Sequence, residues 1–498
     1  MTHLSFALLP LVILLPLIAA MVTGLYMLSG RARGDAAELP TARRASGAAL
    51  LGLLVLLIVD GLALNDPLPG RIEYARWLES GPAAIPLALL VDARSLAFAT
   101  LVQLIVWIAL RFSRTYLHRE TGFHRFFFGI CLFLAGMQTI VLAGDAALTF
   151  IGWELAGFSS WLLIGYDTER SSASSNALYA FVTNRIGDAG FILGLALAFL
   201  WIGSSAWTSF TEAGLDRITA RMLLFGFVLA AIAKSAQIPL AGWLSRALEG
   251  PTSSSAIFYG ALMVHAGVWM LIRLEPVLRV VPDIMIQVAV FGMVTALYGW
   301  LAGLTQSDVK SSLVFATTTQ IGLMFLACGL GYFDFAFVYM CLHAMLRAAQ
   351  FLLAPSYMHM ITDPAAPTPH WIKSRRWLYG AALQRFWLEP LATTLVVQPT
   401  QAVARDLRSF DENVLMPLLG RTLATSDSRT VSGAGGQLLL WASGWCEAVE
   451  QRLTQLVGSG RPAHLIKQAG EYFLELEALL ERPRYLLLLV VATFMVIL

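Results

Sequence analysis

Apolar residues fill most of this chain in blocks of about 20, the length needed to cross the hydrocarbon core of a bilayer as a helix. Candidate spans begin near Leu4, Ala48, Ala93, Phe126, Leu148, Leu178, Leu223, Ser254, Ile284, Leu313 and Phe335. The first runs from Leu4 to Leu28 without a charge. It lacks a basic leading segment and a small-residue cleavage site before a soluble domain, so it reads as a retained span and not a removable signal. The expected fold is an all-α polytopic bundle with about eleven core spans.

From Thr362 the pattern changes. "TDPAAPTPHWIKSRRW" is a polar, proline-rich connection. The stretch "WLEPLATTLVVQPTQAVARDLRSFDENVLMPLLG" then mixes apolar and charged residues too finely for a lipid-facing span, and suits amphipathic helices in the interface or against a neighbouring protein. "SDSRTVSGAGGQ" reads as a flexible break. The apolar run in "ERPRYLLLLVVATFMVIL" is short for a crossing and reads as a tilted or thinned-membrane anchor. Three segments follow: a transmembrane bundle over 1–361, an amphipathic segment over 362–482 and an anchor over 483–498.

Composition agrees. The 498 residues are 57% hydrophobic and 13% charged, where a soluble protein carries about 25% charged residues. A net charge of +2 points to no nucleic-acid partner. Cys131, Cys328, Cys341 and Cys446 are scattered, which indicates neither a disulfide framework nor a metal site. No nucleotide, flavin, iron–sulfur or zinc motif is present, so no cofactor is expected and chemistry on a substrate would fall to another chain. Arginine-rich connections follow the first span (Arg31, Arg33, Arg43, Arg44) and the third (Arg111, Arg114, Arg119, Arg125), and Lys373, Arg375 and Arg376 follow the eleventh. With alternating spans these lie on one side. The positive-inside rule makes that side cytoplasmic and the N-terminus external.

Ionisable residues inside the apolar runs are the candidate chemistry, because charge within a bilayer is costly and is by default functional. Glu154 lies in "LTFIGWELAGFSSWLLIGY" and Lys234, one of only four lysines, in the seventh span. His265 lies in the eighth span, His343 and Arg347 in the eleventh, and Lys310 at a helix boundary in "QSDVKSSLVF". A carboxylate and a lysine on adjacent helices stabilise each other's charged forms, and a buried lysine can release a proton where arginine cannot. The histidines could extend a relay. Pro239, five residues after Lys234, should break the seventh helix, and broken helices line wet cavities and ion sites in transporters. Arg185 and Asp188 are three apart and suited to pair on one helix face. Plainer readings stand beside these. A Glu–Lys pair also serves as a static bridge, His265 as a packing histidine, Arg347 as a snorkelling side chain and Lys310 as a loop charge. Asp60 and Asp92, at apparent span ends, read as solvated.

Whole motifs narrow this. "GWELAGFSSWLLIGY", "FVTNRIGDAGF", "AKSAQIPLAGWLSRALEGPTSSSA" and "LTQSDVKSSLVFATTTQIGLMFLACG" closely resemble the antiporter-like subunit family, with "VDARSLAF" and "GFHRFFFGICLFL" fitting upstream. That family includes subunit L of respiratory complex I, the large Mrp antiporter subunits and the membrane subunit of DAB-type inorganic-carbon transporters. The resemblance runs from about Leu4 to Ser356. It implies inverted repeats, each with an interrupted helix, that conduct protons for a larger complex. It places Glu154 on the family's key carboxylate and Lys234 on its key lysine. Arg185 and Asp188 fall on the pair adjoining the next subunit, Lys310 and His343 on central-axis positions, and Arg347 where a lysine is usual.

Two departures follow from the same resemblance. The family's histidine position in the eighth span is Tyr259, and His265 stands six residues on, a little under two turns away. The eleventh span passes directly into the proline-rich connection, so the helices completing the second inverted repeat are expected to be missing. A shortened bundle suits a DAB-type inorganic-carbon uptake system better than a respiratory subunit L. On that reading the chain is a proton-conducting, energy-coupling subunit with no catalysis of its own, in a bacterial inner membrane, beside a zinc-containing carbonic-anhydrase-like partner. The alternatives are an antiporter-like subunit of complex I or a related oxidoreductase, and a non-conducting scaffold.

Overall fold

The computed structural model describes residues 7–64, 68–80, 83–360 and 368–411. The chain divides into two compact units, Met1–Thr393 and Thr394–Leu498. The first is a helical bundle: α1 (Pro10–Leu28), α2 (Asp35–Ala63), α3 (Ala93–Tyr116), α4 (Phe123–Leu142), α5 (Ala146–Ile164), α6 (Ser171–Ile202), α7 (Arg217–Lys234), α8 (Thr252–Arg273), α9 (Pro282–Gly303), α10 (Val309–Gly329) and α11 (Phe333–Met360). Ten of these are long and apolar enough to cross a membrane. The other, α7, carries Arg217, Arg221 and Lys234 in its 18 residues. All eleven expected spans thus correspond to long helices among the described residues.

One element departs from an all-α bundle. Gly70–Ser80 (β1) and Ala83–Val91 (β2) pair antiparallel, joining α2 to α3. "AAIPLALLV" is a short continuous apolar run, which periodicity alone does not assign to strand or helix. Bridges Leu89–Ala143 and Asp145–Ala206 tie the hairpin end of the bundle to the neighbouring connections. Asp92 and Asp145 both start helices there. Asp92 accepts the Ser95 N–H and caps α3 in a capping box, and Asp145 accepts the Leu148 N–H and caps α5. Asp92 also pairs with Arg273. Burial opposes its charge, but Arg273 and the Ser95 bonds hold it below the usual carboxylate range. Asp60, likewise, accepts a hydrogen bond from Thr100 Oγ1 at 2.7 Å.

The basic connections meet at the opposite end. Arg119 pairs with Asp35 at 2.9 Å, His118 bonds Glu38 at 2.7 Å, and Trp371 stacks on Trp300 near the end of α9. Residues 368–393 belong to this unit. The reason is Glu389, which accepts hydrogen bonds from Arg246 Nε (3.0 Å), Arg385 Nη1 (2.5 Å) and Ser245 Oγ (2.9 Å). Phe386 and Leu388 pack on the buried cluster Ala241, Tyr298, Ala302 and Phe315. Of the second unit, residues 394–411 are described, and helix α12 (Gln398–Phe410) carries exposed Val403 and Leu407 on one face. The remaining amphipathic segment and the expected anchor at 483–498 lie outside the described residues.

Close helix approach positions the charged residues. Glycine at interfaces lets backbones meet in membranes. A Cβ on Gly226 of α7 would lie 2.4 Å from the Gly190 carbonyl oxygen of α6, and one on Gly187 would lie 2.5 Å from Ala233 Cβ. Those contacts flank Asp188 and Lys234, and bring them together.

Candidate functional site

Helix α7 stops at Lys234, five residues before Pro239. Ser235 caps it, Ala236 takes a left-handed conformation (φ 49°), and the chain resumes as a short helix at Gly242–Arg246. The break is held by side chains. Trp243 Nε1–H donates to Ala233 O (3.0 Å), Ser235 Oγ–H to Val264 O (2.6 Å), and the Ile238 N–H to Thr295 Oγ1 (3.0 Å). The first and third bond backbone groups at the break, as the bilayer interior requires, and the second ties the break to α8. The Lys234 ammonium therefore sits at the carbonyl end of a half-helix, where the helix dipole favours a cation.

Lys234 is 1% exposed. Its Nζ donates to Trp153 O at 3.3 Å, lies 4.9 Å from the Trp153 ring centroid, and is 4.0 Å from Asp188 Oδ1. Asp188 also accepts from Trp153 Nε1 at 2.9 Å. Arg185 lies between the two carboxylates, with Nη1 2.5 Å from Glu154 Oε2 and Nη2 2.8 Å from Asp188 Oδ2. The result is a four-membered cluster with two cations and two carboxylates. It differs from the expected direct Glu154–Lys234 pair: Glu154 is held by Arg185, and the carboxylate facing Lys234 is Asp188. The Arg185–Asp188 pair, expected to adjoin the next subunit, is built into the same cluster. Gly157 makes room for it, since a Cβ there would lie 3.1 Å from Lys234 Nζ. Glu154 Oε1, Arg185 Nε and Gln237 Oε1 are buried with no hydrogen-bond partner in the protein.

A second constellation lies between α8 and α11. Helix α8 is irregular: a π turn over Ala256–Ala261 leads through Leu262 into a 3₁₀ turn, Met263–His265. The His265 N–H bonds Leu262 O, leaving Ala261 O to His265 Nδ1 at 2.5 Å. His265 Nε2 is 3.0 Å from His343 Nδ1, and Arg347 Nε–H donates to His343 Nε2 at 3.3 Å. His265 is fully buried and Arg347 is 7% exposed, so Arg347 does not snorkel. Tyr259, at the family's histidine position, instead shares a hydrogen bond with Ser160 at 3.1 Å.

Lys310 joins neither group. It lines a cavity of about 550 Å³ at the end opposite the hairpin, with Arg170, Arg246, Glu249, Arg385 and Glu389. Burial opposes the Glu389 charge, yet the bonds from Arg385, together with Arg246 and Ser245, hold its pKa below the usual glutamate value.

Residues 143–366 match the family NADH:quinone oxidoreductase/Mrp antiporter, TM, and residues 77–127 match NADH-Ubiquinone oxidoreductase (complex I), chain 5 N-terminus. Over these residues the chain is similar to the antiporter-like subunits of complex I and Mrp complexes. NADH-quinone oxidoreductase subunit L of Mycobacterium tuberculosis is 35% identical over 328 residues, 64% of this chain and 51% of the relative. NADH-ubiquinone oxidoreductase chain 5 of Sus scrofa is 36% identical over 292 residues, 59% of this chain and 48% of the relative. The chain spans about half the length of the curated relatives it matches. The solved Mrp complex from Dietzia sp. DQ12-45-1b shares the fold, with TM-score 0.59 and 24% identity over 69% of this chain and 37% of that one. The protein is a multi-pass membrane protein with the antiporter-like fold.

All the expected site residues fall within the 143–366 match. Three participants escaped sequence reasoning. Asp188 as the neighbour of Lys234 was hidden because its i,i+3 spacing already explained it through Arg185. Thr295 looks like any small residue of an apolar helix. Glu389 lies in a segment whose mixed pattern gave no sign that it returns to the bundle.

Proposed function

We propose that this chain is a proton-conducting, antiporter-like subunit of a multi-subunit membrane complex, with Lys234 as the group that takes and releases the proton. The observation that carries this reading is a lysine with 1% exposure at the end of a broken half-helix, 4.0 Å from Asp188. Charge balance does the rest. With all four members of the cluster ionised, the net charge is zero. If Arg185 draws Asp188 toward Glu154, Lys234 is left without its counter-charge and gives up its proton to the polar break beyond Ser235. The uncoordinated atoms Glu154 Oε1 and Gln237 Oε1 mark where water can carry it. A fixed ammonium at the centre of the site favours protons over sodium as the transported ion. Pro239 keeps the helix from closing across the site. His265, His343, Arg347 and Lys310 belong to the continuation of the route. The basic loops face the cytoplasm in this reading and the N-terminus lies outside.

The finer reading is energy coupling for inorganic-carbon uptake, with a soluble zinc-containing, carbonic-anhydrase-like partner docking on the tail helices. Its ground is the shortened bundle expected from the resemblance, with Glu154, Lys234 and Pro239 retained. The names of the curated relatives favour the second reading, a subunit of a quinone-reducing complex. Purification of the chain with its native partners separates the two: a zinc carbonic-anhydrase-like protein supports the first, and quinone-reductase subunits support the second. For the first, Lys234→Ala should abolish rescue of a carbonic-anhydrase-deficient host, and undiminished rescue would sink it.

A further inference from the structure

The three hydrogen bonds around the buried histidines admit one consistent assignment of protons. A carbonyl oxygen only accepts, so His265 Nδ1, 2.5 Å from Ala261 O, carries a hydrogen. A guanidinium N–H only donates, so His343 Nε2, 3.3 Å from Arg347 Nε, is a bare acceptor. Between them, His343 Nδ1 and His265 Nε2 lie 3.0 Å apart. A neutral His343 with a bare Nε2 has its hydrogen on Nδ1, and a neutral His265 with its hydrogen on Nδ1 has a bare Nε2. Each bond then has one donor and one acceptor, and the chain runs Arg347, His343, His265, Ala261 in a single direction. Both ring nitrogens of both histidines are occupied. A further proton finds no lone pair unless one bond opens, and His265 hands one on only when its Nδ1–H turns away from Ala261 O.

We propose that Arg347 is a proton-tight plug on the histidine pair. Its Nε–H covers the His343 nitrogen through which the pair would otherwise be loaded from α11, and Arg347 cannot release its own proton. Gln350, 2.7 Å from Arg347 Nη1, anchors the plug on its other side. A lysine at this position could hand its proton to His343, whereas arginine stops the route until the side chain withdraws. Arg347 is thus a positioning residue for the proton route proposed above, and this inference rests on that reading. An energy-coupling subunit needs such a stop, since a continuous wire would leak.

The tautomers can be tested without any transport assay. In the full chain, reconstituted in nanodiscs with ¹⁵N-histidine, imidazole nitrogen spectra should show His265 and His343 as neutral Nδ1–H forms at neutral pH. Assignment comes from His265→Gln and His343→Gln variants. An Nε2–H form or an imidazolium at either position overturns the assignment and leaves the Lys234 site untouched. In proteoliposomes, Arg347→Met should raise passive proton leak several-fold and free His343 to exchange tautomers. Arg347→Lys, which keeps the cation and its packing, should also raise leak. Unchanged or lower leak in a folded Arg347→Lys protein overturns the plug.

Discussion

The two buried polar groups of the bundle are built in opposite ways. In the cluster of Glu154, Arg185, Asp188 and Lys234, four charges share few bonds, and Glu154 Oε1 and Arg185 Nε have no hydrogen-bond partner in the protein. In the chain of Arg347, His343 and His265, every imidazole nitrogen is used. A buried polar atom without a partner is costly, and native structures retain it where water or motion has a role. A fully satisfied chain holds its side chains in place. The contrast assigns movement to the first group and closure to the second. The local backbones agree: α7 ends outright at Lys234, whereas α8 only loosens into π and 3₁₀ turns and then continues to Arg273.

Substitutions can break this comparison in graded steps. The largest effect is expected from Lys234→Met, which should reduce proton flux in proteoliposomes to background. It also leaves Asp188 with less counter-charge, and removal of one partner of a buried pair costs about 3–5 kcal/mol. Glu154→Gln should lower flux strongly without abolishing folding, because Arg185 retains Asp188; flux equal to wild type would remove Glu154 from the mobile group. Thr295→Val strips the acceptor from the Ile238 N–H at the break. An orphaned buried donor costs about 1–3 kcal/mol, so thermal unfolding in detergent should come earlier, and an unchanged midpoint would show that the break does not rely on Thr295.

The smallest effect lies at the end opposite the hairpin. Glu389 has a folded pKa below its unfolded value, owing to Arg385, Arg246 and Ser245. Its ionised form therefore contributes stability that is fully present above the ordinary glutamate pKa of about 4.3, and is lost as pH falls through the folded value. Glu389→Gln should flatten that part of the acid limb of a stability-against-pH curve. An acid limb identical to wild type would contradict the anchoring of residues 385–392 to the bundle.

The helices were legible in the sequence because a bilayer demands long apolar runs, and lipid-facing residues advertise themselves. Lys234 beside Pro239 was legible for the same reason: both are expensive in an apolar helix. The partners were not. Asp188 was read as half of a local pair with Arg185, and i,i+3 spacing carries no information about the neighbouring helix. The meeting of His265 with His343 depends on the π turn at Ala256–Ala261, which alters the rotation of everything after it, and nothing in "AIFYGA" announces that turn. The hairpin was hidden because "AAIPLALLV" is a continuous apolar run without the alternation by which strands are recognised.

Lys234→Arg puts the central claim to its most direct test. Arginine keeps the positive charge opposite Asp188 but holds its proton at any physiological pH. If Lys234 works by giving up a proton, flux through the arginine variant falls to that of Lys234→Met while the protein stays folded and its complex assembles. Wild-type flux through a folded Lys234→Arg protein would show that charge alone is needed there, and that the proton travels by another path.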